Sequence, residues 1–110
     1  MATRSMYGIL NDDNSVTAVY CHWDGYPAGV GECLKTFYNT EDKVRELISK
    51  GGASSIGDTL NDCSFYADRG ETLEIDNYVS EHDYVKNSGR GVEWCYTFNP
   101  KENSWNHQKA

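Results

Sequence analysis

Cys21 and His22, followed at once by Trp23 and Asp24, are the residue types of a thiol nucleophile and its base. Their spacing argues against that use: on an extended chain, adjacent side chains point to opposite faces, so the two do not meet. His22 is therefore read first as a structural histidine, with ligand binding or acid–base work as its other open roles. A second set is Asp24, Asp68 and Glu71, each in a turn directly after an apolar strand. On neighbouring parallel strands these carboxylates would meet at one sheet end and hold a divalent cation or act as acid and base. The plainer alternative is that Asp24 and Asp68 cap local turns, with Arg69 paired to a nearby acid. Four Cys and three His are enough for zinc in number, but no ligand pair has the close spacing of a structural zinc site. No metal and no cofactor is expected. No phosphate loop, Gly-x-Ser-x-Gly elbow, His-Glu-x-x-His helix or dinucleotide fingerprint occurs, so a binding protein is expected ahead of an enzyme.

The charge is concentrated. Of a net −7, all of it lies between Asp58 and Val85, where Asp58, Asp62, Asp68, Glu71, Glu74, Asp76, Glu81 and Asp83 face one base, Arg69. Such a field repels nucleic acid and membranes and attracts a basic surface on a partner. The alternative is a solvated face that keeps the chain soluble. There is no basic patch with interleaved aromatics, so direct nucleic-acid binding is not expected. No apolar run approaches the roughly 18 residues of a membrane span, and Met1 to Ser5 has no signal-peptide core. Cys21, Cys33, Cys63 and Cys95 sit in or beside apolar segments without a Cys-x-x-Cys pair, and read as free thiols of a cytoplasmic protein.

The elements that must position these residues follow from periodicity. Val16 to Trp23 is apolar on both faces, with Val16, Ala18, Tyr20 and His22 on one and Thr17, Val19, Cys21 and Trp23 on the other, as in a covered central strand. Asp24-Gly25 and Pro27 end it. Met6 to Leu10 precedes it across the turn formers Asn11 to Ser15, giving a hairpin. Val30, Cys33, Leu34, Phe37 and Tyr38 recur at helical spacing, predicting a helix over Ala28 to Asn39. Thr40 caps a second helix with Glu41 and Asp42 in its first turn, Val44, Leu47 and Ile48 on its apolar side, and a stop at Gly51-Gly52. Ala53 to Asp58 reads as a loop, Ser64 to Ala67 as a strand closed by Asp68-Arg69-Gly70-Glu71, and Thr72 to Val85 as irregular with at most one helical turn. Asn87 to Gly91 is a plain turn. Val92, Trp94, Tyr96 and Phe98 alternate with polar residues as a half-buried strand, and Ser104 to His107 returns as an edge strand. The expected fold is α+β: a single domain ordered over about residues 5–107, with an antiparallel sheet of four to five strands and a helix pair on one face.

The block Y-C-H-W-D-G-Y-P (Tyr20 to Pro27), with S-S-I-G at Ser54 to Gly57, D-R-G-E at Asp68 to Glu71 and the aromatic strand Trp94 to Phe98, resembles a family of small phage- and prophage-encoded proteins. The resemblance spans roughly residues 5 to 107. It implies an accessory phage protein in the cytoplasm of an infected bacterium and carries over no catalytic residue. The leading expectation is a binding protein that inhibits a host factor, such as a nucleic-acid-handling or anti-phage defence enzyme. Its eight acids would meet a basic groove, in the manner of a DNA mimic. The alternative is a small-molecule binding protein or small enzyme with a nucleotide-like ligand held by His22, Trp23, Asp24, Tyr26, Arg69 and Glu71. That pocket requires Asp24 and Arg69 to converge. A third possibility is self-association through Ser104 to His107.

Overall fold

The hairpin that organises the chain is formed by β1 (Ser5–Leu10) and β2 (Val16–Cys21), paired antiparallel from Ser5 against Cys21 to Leu10 against Val16. The computed structural model describes residues 2–110. Between the two strands, Asn14 takes a positive φ of 69° and the Asp13 carboxylate accepts from the Ser15 N–H at 3.1 Å, as the run of turn formers requires. β2 is central, as its two apolar faces demand. Its outer edge pairs with both β3 (Ala53–Ser55) and β5 (Asp76–Tyr78).

The fold is α+β, but the sheet is larger than the sequence suggests and is mixed. Seven strands run in the order β4 (Ser64–Phe65), β3, β2, β1, β6 (Trp94–Asn99) and β7 (Ser104–Lys109), with β5 off this path on β2. β1 and β6 are parallel, Tyr7 beside Tyr96, and β2 meets β3 in parallel at Cys21 and Ala53. The two long hairpins, β1–β2 and β6–β7, are joined through β1 and β6 pointing the same way. That joint makes the sheet mixed.

Both faces are covered. On one, Tyr7, Ile9, Val19, Cys21, Tyr96 and Phe98 pack under Leu34 of α1 (Glu32–Phe37), Tyr38, and Val44, Leu47 and Ile48 of α2 (Glu41–Ser49). This is the expected helix pair. The first helix is shorter than its periodicity, because Pro27 to Gly31 forms a π-helical turn ahead of α1. α2 begins where the cap predicts, with the Thr40 hydroxyl accepting from the Lys43 N–H at 3.3 Å, and ends before Gly51 at φ 79°. On the other face Met6, Val16, Ala18 and Cys95 pack under Tyr84 of α3 (Glu81–Asn87). The stretch expected to be irregular therefore holds β5 and a two-turn helix, capped by Ser80, whose hydroxyl accepts from the Asp83 N–H at 3.1 Å. The stretch expected as a loop holds β3. All four cysteines are free thiols. Among the described residues no helix is long and apolar enough to cross a membrane.

Candidate functional site

Two concavities flank the motif turn. β5 takes the outer edge of β2 at Val16 to Ala18 and β3 takes it at Cys21, which leaves Tyr20 in a gap between them. There a cavity of about 560 Å³ opens, lined by Tyr20, Gly52, Tyr66, Gly70, Glu71, Thr72, Glu74 and Arg90. Arg90 lies between Gly89 and Gly91 with a positive φ of 58°, a backbone conformation that costs a long side chain and suits glycine. Its guanidinium donates to the Asp76 carboxylate at 2.6 Å and stands 3.9 Å from Glu74, and the Asp76 bond pushes its pKa up further. Arg4 donates to the Arg90 carbonyl at 3.0 Å. Arg69 lies over the Tyr66 ring, 4.8 Å from its centroid, and 3.7 Å from Glu71. Three arginines thus gather around two tyrosines. Burial pushes both phenols up, while Arg4 and Arg90 act the other way at Tyr20, as do Arg69 and Arg4 at Tyr66.

The second concavity, about 230 Å³, lies between the Trp23–Tyr26 turn and the Ser55–Asp58 segment. Trp23, Asp24, Tyr26, Cys33 and Asp58 are among its lining residues. The turn is fixed by backbone bonds from the Trp23 N–H to the Ser54 carbonyl, the Gly25 N–H to Thr3 and the Val30 N–H to Asp24. The Tyr96 hydroxyl adds a buried bond of 2.6 Å to the Gly25 carbonyl. Gly25 is required there, since a Cβ would sit 2.6 Å from the Thr3 carbonyl oxygen.

The residues singled out from sequence are therefore divided. Trp23, Asp24 and Tyr26 share the smaller cleft with Asp58, whereas Glu71 and Glu74 line the larger cavity; no residue lines both. Asp24 and Arg69 share neither, so the single pocket built on their convergence is replaced by two. His22 is half-buried, its Nδ1 2.8 Å from the Tyr20 hydroxyl and its ring edge-on to Trp23. Burial pushes the Cys21 thiol up to about 12, which removes it as a thiolate nucleophile at neutral pH. Of the acidic stretch, Glu71, Glu74 and Asp76 face arginines. Asp83 accepts from the Val79 N–H and from Asn87, Asp62 accepts from Thr59 and Glu81 from Gln108, while Asp68 is exposed. Among the described residues no three His, Cys, Asp or Glu are grouped to hold a metal. Sequence reasoning missed Tyr66 and Arg90. The arginine between two glycines was its one available signal.

Fold and site together define a small α+β protein with two unlike concavities at one end of its central strand. No protein-family model, no curated protein and no solved structure matches the chain.

Proposed function

We propose that the protein binds a small anionic ligand carrying a flat ring, of nucleotide type, in the cavity beside Arg90. The observation that carries this reading is the arginine itself, held in a left-handed conformation and oriented by Asp76 on a cavity that two tyrosines line. A volume of about 560 Å³ falls within the range small-molecule sites occupy. Tyr20 and Tyr66 offer aromatic faces; of Arg90 and Arg69, it is Arg90 that lines the cavity and offers guanidinium donors for phosphate. Glu71 and Glu74 stand beyond hydrogen-bond distance from those arginines and are exposed, so an anion displaces them at little cost. Asp76 stays and keeps Arg90 aimed.

Calorimetry with a nucleoside monophosphate, the matching nucleoside and inorganic phosphate tests this. The nucleotide should bind at least about tenfold more tightly than either fragment, and Arg90→Gly should weaken it about ten- to hundredfold while keeping the fold, since glycine suits that backbone. Fragments that bind as well as the nucleotide, or unchanged affinity in Arg90→Gly, overturn the reading.

A second reading, inhibition of a host factor in an infected cell's cytoplasm, is favoured by one observation. Leu73 and Val79 stand 51% and 81% exposed within the acidic stretch, near Glu71, Glu74 and Glu81. Apolar residues ringed by basic ones on a host protein would meet these side chains, which flank β5 at its two ends. Stoichiometric retention of a host protein by the tagged chain, lost on replacing both residues with serine, supports it; retention that survives the replacement sinks it.

A further inference from the structure

The smaller cleft combines three features that aim at one kind of guest. Its rim carries Trp23 and Tyr26, 46% and 44% exposed, and aromatic faces of this kind attract cations, guanidinium above all. Asp24 and Asp58 stand in the same cleft, neither is in an ion pair among the described residues, and none of the lining residues is basic. Burial and the Asp58 charge push the Cys33 thiol up to about 11, so the cleft's negative charge belongs to the two carboxylates. The turn is also set in advance: Asp24 has a positive φ of 59°, its carbonyl accepts from Val30 at 2.8 Å, and the chain continues into a π-helical turn, a local irregularity common at functional sites. A volume of about 230 Å³ is below what a drug-sized ligand fills and suits a single side chain.

The geometry points to this cleft as the receptor for an arginine side chain presented by a partner protein. Arginine is favoured over lysine because a flat guanidinium stacks on aromatic faces and its N–H fork matches carboxylate, and Trp23, Tyr26, Asp24 and Asp58 all line the cleft. Trp, Tyr and Arg are the residues that dominate the energetics of protein interfaces, and a rigid turn avoids the ordering cost of binding. The site shares no residue with the cavity beside Arg90, so each reading stands or falls alone.

Titration of the isotopically labelled protein with Gly-Arg-Gly blocked at both ends, and with the citrulline peptide as its uncharged isostere, tests the assignment. The Trp23 indole N–H resonance, identified through Trp23→Phe, is the readout. The arginine peptide should move it saturably in the millimolar range, more weakly as salt rises, with the citrulline peptide about tenfold weaker. Asp24→Asn and Asp58→Asn should each weaken binding about two- to fivefold. Asparagine is at home in the left-handed region, so Asp24→Asn keeps the turn. Equal binding of the citrulline peptide, a Trp23 resonance that does not move saturably, or unchanged affinity in both Asn variants overturns the proposal. Free arginine binding at least about tenfold more tightly than the blocked peptide would assign the cleft to a small molecule and overturn the partner.

Discussion

Tyr96→Phe removes one oxygen from the core and tests how the motif turn is held. The Tyr96 phenol is buried in β6 and donates at 2.6 Å to the carbonyl of Gly25, a buried residue 71 positions earlier, in the middle of the Trp23–Tyr26 turn. The ring remains in the variant, and with it the packing against Gly31. Only the donor is lost. A buried carbonyl left without its partner costs about 1–3 kcal/mol. For a domain of this length, about 2 kcal/mol corresponds to a fall of about 8–12 °C in Tm. Urea unfolding followed by circular dichroism should show the lower midpoint with an unchanged slope, because the surface exposed on unfolding is the same. The bond also fixes the turn that carries Trp23 and Asp24, so the Trp23 indole resonance should move and broaden while binding beside Arg90 is unaffected. A loss below about 0.5 kcal/mol, with the Trp23 resonance in place, refutes the reasoning. The turn would then be held by its backbone bonds to Thr3, Ser54 and Val30.

Gly25→Ala should be harsher than Tyr96→Phe, costing about 3 kcal/mol, because the added Cβ would lie 2.6 Å from the Thr3 carbonyl oxygen and 2.7 Å from the Ser5 Cβ; a melting temperature at or above that of Tyr96→Phe contradicts the close packing. Burial pushes the Cys21 thiol up to about 12 and the Tyr7 and Tyr84 phenols well above 10, so the unfolded chain releases these protons first. The stability these three groups contribute is full below about pH 9 and declines above it, with Cys21 acting first and each tyrosine adding about 1.4 kcal/mol per pH unit above about pH 10. Tyr84→Phe removes one of these protons and should flatten the alkaline decline by that amount; an unchanged decline in stability, followed by urea unfolding across this pH range, rules out the assignment.

What the sequence discloses is what neighbours along the chain decide. Thr40 with Glu41 and Asp42 starts α2, the alternation of Trp94, Tyr96 and Phe98 makes β6, and apolar residues on both faces of Val16 to Cys21 require cover on both sides. β3, β4 and β5, of three, two and three residues, are too short to show a period, and the parallel joint of β1 to β6 rests on contacts nearly ninety positions apart. α3 did have a local mark, the Ser80-Glu81-His82-Asp83 cap, but with Tyr84 as its one buried residue it has no apolar stripe. Arg90 is illegible for a different reason. A glycine-flanked arginine reads as an ordinary turn, here closed by the Val92 N–H on the Gly89 carbonyl with Arg90 and Gly91 left-handed, and only the fold brings Asp76 and Arg4 to it.

The expected single pocket divides in two where β2 ends. Period two holds along β2, which ends at Cys21; Trp23 lies past that end, in the turn that its N–H bond to the Ser54 carbonyl fixes. Tyr20 therefore belongs with Tyr66 and Arg90, and Trp23 with Tyr26 and Asp58. One contiguous motif, Tyr20 to Pro27, thus supplies both concavities. The larger joins aromatic faces to an arginine with Glu71 and Glu74 beside it, and the smaller joins them to Asp24 and Asp58. The anionic ligand and the cationic side chain proposed for them would not compete for any residue, since the two linings share none.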